Sequence, residues 1–377
     1  MAKYKLGDIV TLLNGRAYLM PELQDSGKYR ILRVGNLSGG NDSWYYSDME
    51  LDENKYCENG DLLYAWACNF GPHIWREEKV IYHYHIWKLV ENKEKVDRTY
   101  LYYYLLHQTP FYLGGVNGAT MVHITKKNME KKTVYIPSSL NVQHRIASIL
   151  STYDSLIENN TKRIRLLEKM AENLYKEWFV RFRFPGHENV EMENGLPKGW
   201  KRSSLSDVCV FKRGKNITSS EMEEGNVPVI SAGLEPSGYH SCSNVKGTNV
   251  TMSSSGANAG YIAIHDSDIW AADCSYIEET TTANIFYVYE LLNNIRSVIN
   301  NFQRGAAQPH VYPKDVNRIK LILPSENLMQ KANARLEMMH KEIHNLQHQN
   351  SLLARQRDLL LPRLMSGKLE VKEELLE

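Results

Sequence analysis

Cysteine is scarce in this 377-residue chain: Cys57, Cys68, Cys209, Cys242 and Cys274, an odd count with no CxxC pair. That spacing argues against both a disulfide framework and a zinc ribbon. No run of about 18 apolar residues occurs, so no membrane-spanning helix is expected. The start, Met1 to Leu6, lacks the apolar core of a secretory signal, and the chain reads as cytoplasmic. There is no Gly-rich loop ending in Lys-Ser/Thr, which speaks against nucleotide hydrolysis. No Asn/Asp-Pro-Pro-Tyr/Phe run is present, so an amino-methyltransferase site is not expected. Charge of one sign is also missing: 45 basic and 44 acidic residues leave a net charge of +1. A surface that grips nucleic-acid phosphates would need clustered cations, or a partner that supplies much of the grip.

What the chain has is repetition. Ile136-Pro137-Ser138-Ser139 returns as Leu323-Pro324-Ser325-Glu326, and Gly118-Ala119-Thr120 as Gly305-Ala306-Ala307. His123 matches His310 and Lys127 matches Lys314, at one shared offset (310 − 123 = 187). Leu205-Ser206-Asp207-Val208 repeats Leu6-Gly7-Asp8-Ile9, and Arg213-Gly214-Lys215 repeats Asn14-Gly15-Arg16. Within the first copy, Asp8–Leu12, Tyr29–Val34, Asp61–Trp66 and the run from Val80 read as short strands, and Asp97–His107 as one helix. Tyr287–Leu292 repeats that helix. Between the anchors the copies diverge: Trp44-Tyr45-Tyr46 and Arg76-Glu77-Glu78-Lys79 have no counterparts. The expectation is an α+β chain with a pseudo-two-fold internal repeat: two similar α/β units whose shared frames carry different loops, suited to recognising two different targets.

Each copy is followed by a heptad-patterned helix. Ile146, Leu150, Tyr153, Ile157, Asn160, Ile164, Leu167, Ala171, Leu174 and Trp178 step by four and three, as do Ala332, Leu336, Met339, Ile343, Leu346, Asn350, Leu353, Arg357, Leu360 and Leu364. Two seams in one chain are expected to pair as a long antiparallel coiled coil, because the second helix must run back along the first. Antiparallel pairing sets a positions against d, which puts Asn160 opposite Asn350 near the middle. Arg181–Gly186 and Pro362 are expected to end or kink the helices. Gly186–Gly199 reads as a polar linker, and the acidic tail after Leu369 as fraying.

Other chemistry-bearing residues read as structural. Asp61 with Glu77-Glu78-Lys79 only loosely imitates a nuclease pattern, and the second copy lacks it. His340, His344 and His348 lie four apart, at metal-ligand spacing on a helix, but a wet helical face is the expectation. His83 and His85 alternate as on one face of a strand. The aromatics from Tyr100 to Tyr104 read as packing their helix into its domain.

The order of these features resembles the specificity (S) subunits of Type I restriction-modification systems. Two halves each close on Ile/Leu-Pro-Ser ahead of a seam. The second half opens with Leu196-Pro197-Lys198-Gly199-Trp200-Lys201 ahead of Leu205-Ser206-Asp207-Val208, similar to that family's entry into its second target-recognition domain. Arg304-Gly305-Ala306-Ala307-Gln308-Pro309-His310 resembles its Gly-Ala-Gln loop, while Asn117–His123 departs by lacking the Gln and Pro. The resemblance covers essentially the whole chain.

It implies a non-catalytic DNA-binding subunit: target-recognition domains over 1–140 and 200–325, coiled-coil helices over 141–184 and 326–368, a linker over 185–199 and a tail over 369–377. Each domain would read half of a bipartite, asymmetric site on double-stranded DNA. The coiled coil would set the spacer and dock two methyltransferase (M) subunits, with restriction (R) subunits joining them. S-adenosylmethionine would sit on the methyltransferase subunits, and this chain would bind no cofactor. Candidate DNA-binding residues are Arg16, Asn36, Trp66, Asn69, Arg76, Lys126 and Lys127 in the first unit. In the second they are Lys212, Arg213, Lys215, Lys246, Asn258, Arg304, Gln308 and Lys314. The cations suit phosphates and the amides suit adenine edges. A two-headed scaffold tethering proteins is the competing reading, distinguished by its having no need of divergent basic loops. A stand-alone enzyme is opposed by the missing catalytic motifs.

Overall fold

The computed structural model describes residues 1–37, 43–113, 124–305 and 307–371. The loop Asn117–His123, with its Gly118-Ala119-Thr120, lies outside the described residues, as do Ala306 and the end of the acidic tail. Two compact units are present: Met1–Glu158 with Ser351–Glu377, and Asn159–Asn350.

In the first unit, strand Ala2–Lys5 pairs antiparallel with Thr133–Ile136, Ala2 opposite Ile136. A 3-10 turn at Leu6–Asp8 follows, with the Asp8 carboxylate accepting from the Lys5 backbone N–H. Strands Val10–Asn14, Ile86–Glu91, Leu62–Ala65 and Gly71–Ile74 then form an antiparallel sheet in that spatial order. A second sheet holds Tyr45–Ser47, Tyr29–Leu32, Val80–Tyr82 and Tyr56–Cys57, its middle two strands parallel. The helix Arg98–Leu113 buries Tyr100, Leu101, Tyr103, Tyr104 and Leu105 in the same core as Leu62 and Tyr64. It continues past His107 and through Pro110, because Tyr112 is buried beyond the proline and holds the last turn in the core.

The second unit repeats this plan. Lys201–Ser204 pairs with Lys320–Leu323, Lys201 opposite Leu323, and a 3-10 turn at Leu205–Asp207 follows. The larger sheet orders Lys212–Arg213, Cys274–Glu278, Thr248–Ser253 and Ile262–Asp266, and the smaller one Gly238–His240, Val227–Ile230 and Trp270–Ala271. The last two strands are again parallel. The aromatic helix is Ile285–Asn294.

The two long helices are Leu140–Tyr175 and Glu326–Met365. In the first unit Ile146, Ala147 and Leu150 share a core with Leu361, Leu364 and Met365, and Arg357 meets Asp154 at 2.5 Å. In the second unit Ile164 and Leu167 pack with Ile343 and Leu346, while Ala171 and Tyr175 join a core with Ala332 and Leu336. Rising numbers on one helix meet falling numbers on the other within each unit, so the paired segments are antiparallel. Every seam residue is buried or half-buried, Tyr153, Ile157, Leu174, Met339, Leu353 and Leu360 being among the half-buried ones. Asn160 is buried, and Asn350 donates its side-chain amide to the Thr161 hydroxyl at 3.3 Å, one residue along from the expected Asn160.

Pro362, expected to end or kink its helix, does not end it: the helix runs on to Met365, and Leu364 and Met365 are buried. Chain reversal waits for Gly367, at φ +73°. The stretch 186–199, expected as a polar linker, contains a short hairpin. Met192–Glu193 pairs with Leu196–Pro197 across Asn194-Gly195, both at positive φ, the residues a two-residue hairpin turn demands. Nearby, Trp200 stacks on Phe184.

A buried amide on each long helix clasps the neighbouring domain. Gln143 donates to the carbonyls of Lys95 (3.0 Å) and Pro137 (2.8 Å) and accepts from the Asp97 N–H (2.9 Å). Asn333 accepts from the Phe286 and Tyr287 N–H groups at 3.0 and 3.1 Å. Each thereby satisfies backbone donors at the start of the aromatic helix, which have no partner inside that helix. Among the described residues no helix is long and apolar enough to cross a membrane.

Candidate nucleic-acid interface

The same corner is built in both units around a glycine. Gly15 follows the strand Val10–Asn14, and a Cβ there would sit 2.4 Å from the carbonyl oxygens of Tyr82 and His83. Gly214, 199 residues on, would meet the Ala272 and Ala271 oxygens at 2.4 and 2.6 Å. Only glycine allows the backbone this close. The chain then turns and the next residue is pinned: Arg16 N donates to Tyr82 O at 3.0 Å, and Lys215 N to Ala271 O at 2.9 Å. Each unit thus carries a cation at the corner beside an aromatic ring. The Arg16 guanidinium lies 5.3 Å from the Tyr18 ring, and the Lys215 amine 6.0 Å from the Trp270 ring.

Trp66 belongs to the first corner. Its indole donates to Tyr84 O at 2.8 Å, and its ring stacks on Trp87 and meets His85 edge-on. His83 and His85 lie in the turn between Val80–Tyr82 and Ile86–Glu91 rather than in a strand, because their backbone groups answer the corner. Their rings are 4.8 Å apart, so they do share a side. Burial, the neighbouring His85 and the Arg33 charge push His83 down to about 4, and burial lowers His85 as well. At neutral pH both imidazoles are uncharged and able to donate and accept. Tyr84 and Arg33, whose guanidinium lies over Tyr45 at 4.4 Å, are members of this surface that the sequence reading missed. The repeat of Asn14-Gly15-Arg16 as Arg213-Gly214-Lys215 marked the corner in the sequence but not these two side chains.

Many expected DNA-contacting cations are held by carboxylates of their own unit. Arg16 meets Glu22 at 2.6 Å, Arg76 meets Glu158 at 2.7 Å, and Lys126 approaches Glu130 at 3.8 Å. Lys212 meets Glu278 at 2.7 Å, Arg213 meets Asp273 at 2.6 Å, and Arg304 meets Asp315 at 2.9 Å. Asn36 braces a turn, accepting from Arg33 N and donating to Ser43 O, each at 3.1 Å. Asn69 and Lys246 lie exposed on loops, Lys127 is exposed on the short helix Lys126–Glu130, and Asn258 ends a 3-10 turn. Gln308 is exposed inside the loop closed by Arg304 and His310, where Gly305 at φ +98° brings the Gln308 carbonyl close. Lys314 sits 5.8 Å from the Tyr312 ring.

The nuclease-like residues are scattered into separate ion pairs: Asp61 with Lys88, Glu77 and Glu78 with Arg30, and Lys79 with Glu53. His340 corrects the wet-face expectation. It is buried, bonds Glu290 at 2.9 Å and stacks on Phe286, whereas His344 and His348 are exposed. No group of three metal-ligating side chains exists among the described residues. A cavity of about 590 Å³ in the second unit is lined by Glu168, Glu172, Asp266 and Glu290 among others, the wrong sign for phosphate.

A frame built twice, with unlike polar loops on each copy, defines a duplicated recognition protein. Residues 1–169 and 197–354 match the type I restriction modification DNA specificity domain, and the chain belongs to that family. It is 27% identical over 307 residues to the MjaIX type I restriction enzyme specificity subunit of Methanocaldococcus jannaschii, covering 74% of this chain and 71% of that one. It is also 27% identical over 227 residues to the MjaVIII specificity subunit of the same organism, covering 59% and 52%. The crystal structure of the S subunit of the type I restriction-modification system from M. genitalium matches over 96% of this chain and 95% of that one, with a TM-score of 0.68 at 20% identity, and so shares the fold. Family membership gives the chain a role in recognition rather than in catalysis.

Proposed function

We propose that the chain directs a type I restriction-modification complex, in the cytoplasm, to a bipartite and asymmetric site on double-stranded DNA. Each unit reads one half-site. The observation that carries this reading is the duplicated glycine corner, whose backbone is kept while its side chains change. A protein recognising one symmetric site twice would have no use for two different corners.

The long helices set the unread gap. The first is 36 residues long, about 54 Å at ~1.5 Å per residue, against ~34 Å for one turn of DNA. Their outer faces expose Leu156, Leu166, Met170, Met338, Leu352 and Leu359, which suits the docking of two methyltransferase subunits. Those subunits carry S-adenosylmethionine, and restriction subunits complete the nuclease. Because so many of the candidate cations already face carboxylates, phosphate must displace an internal partner to reach them. The grip of this chain alone is then weak, and the partners supply much of it, in keeping with a net charge of +1.

The test is to purify the chain with its methyltransferase subunits and map protected sites. Two short specified blocks separated by a fixed unspecified gap are expected, with affinity falling steeply with salt. A complex that assembles but protects no sequence leaves a protein-tethering scaffold instead.

A further inference from the structure

The two corners can be superposed bond by bond through their backbone hydrogen bonds, and this isolates one short segment in each. His83 N donates to Leu32 O at 2.9 Å, and Ala272 N to Ile230 O at 2.8 Å, so His83 and Ala272 are equivalent. Trp66 N donates to His85 O at 3.1 Å and Ser254 N to Asp273 O at 3.4 Å, so His85 answers to Asp273. Gly15 N closes on Ile86 O and Gly214 N on Cys274 O, at 3.3 and 2.9 Å. Every fixed point matches, and the first unit has one residue more, Tyr84, which is exposed. The frame therefore brackets His83-Tyr84-His85 in one unit and Ala272-Asp273 in the other.

The chemistry of the two segments differs as completely as their frame agrees. The first offers imidazoles and a phenol packed together, Tyr84 4.0 Å from His85. The second offers the Asp273 carboxylate, which accepts from the Ser255 hydroxyl and holds the Arg213 guanidinium at 2.6 Å. Side chains that vary on an invariant scaffold are where two readers of different sequence must differ.

We infer that this bracketed segment sets the base reading of each unit, Tyr84 and His85 directly in the first and, in the second, Asp273 by orienting Arg213 of the adjoining strand Lys212–Arg213. The inference rests on the DNA-reading function proposed above. A guanidinium fixed by a carboxylate keeps free N–H donors in one plane, which matches the O6 and N7 acceptors of guanine in the major groove. Neutral imidazole and phenol groups donate or accept singly and bring no charge to draw them to phosphate, which suits an edge contact to an A·T or G·C pair without a guanine preference imposed by charge.

The experiment uses the full chain assembled with its methyltransferase partner and a pool of duplexes randomised over both half-sites, the bound fraction being sequenced. Asp273→Asn and Arg213→Lys are expected to relax preference about tenfold at one or two positions of one half-site. His85→Gln and Tyr84→Ala are expected to do the same in the other half-site only. Each variant must keep its preference in the untouched half, which also shows that it has folded and assembled. Unchanged preferences in both halves overturn the inference while leaving the DNA-reading function intact. Uniformly weaker binding without altered preference also overturns it, by assigning these residues to phosphates. A wild-type complex that enriches no sequence would instead defeat the DNA-reading function itself.

Discussion

His340 sits on a helix whose other histidines are wet, yet it is sealed against Glu290, Phe286 and Tyr289. Replacing Glu290 by Ala strands a buried imidazole nitrogen, and the second unit should lose about 1–3 kcal/mol in denaturant unfolding, with His344→Ala near neutral. His265 gives a pH dependence. Burial pushes it down to about 4 while it bonds Thr251 at 2.9 Å. The unfolded chain takes up this proton near pH 6.5 and the folded one only near 4, so the stability it confers is whole above pH 6.5 and is lost as pH falls through that window. Unfolding at pH 8 and pH 5 should differ by roughly 2 kcal/mol more in wild type than in His265→Gln. Neither burial was legible in the sequence: a histidine on a heptad helix or an alternating strand looks the same wet or dry until the opposing element is known. The carboxylate partners of Arg213 and Arg304 were equally hidden, since Asp273 lies 60 residues away in one case and Asp315 belongs to the next turn in the other. The glycines were legible, and Gly214→Ala should cost more than any nearby surface substitution, read as a lower melting temperature of the full chain.

At the scale of elements, the heptad seams were the most readable part, because a period of seven needs no distant partner to be recognised. Every seam position is at least half-buried. Leu346→Ala, emptying a site shared with Ile164 and Ile343, should destabilise the second unit by about 2–5 kcal/mol. Leu359→Glu lies on an exposed face and should leave the melting temperature of the chain unchanged while reducing co-purification with methyltransferase subunits. Element ends were harder to read. Pro362 marks a stop by local rules, but burial of Leu364 and Met365 outweighs the lost backbone bond. The hairpin at Met192–Pro197 was announced by Asn194-Gly195 and missed because its strands are only two residues long.

At the scale of the whole molecule, the repeat was visible as an offset between motifs, and its consequence, two sheets in the same strand order, followed. What the offset could not show is that the frames diverge by a single residue, Tyr84, at one corner; that required the hydrogen bonds. Inserting seven residues into both long helices should lengthen the unspecified gap in the protected DNA while leaving both specified blocks as they were, read by methylation-site sequencing. The amide clasps of Gln143 and Asn333 have a bearing on how such proteins can be recombined. Each lobe is secured by a side chain that lies downstream of its own closing strand, already inside the helix. A graft cut at the proline would leave its anchor behind in the donor. Chimaeras that inherit the helix through Gln143, or Asn333, with the lobe should accumulate as intact protein, and those spliced a few residues earlier should be cleared by proteolysis.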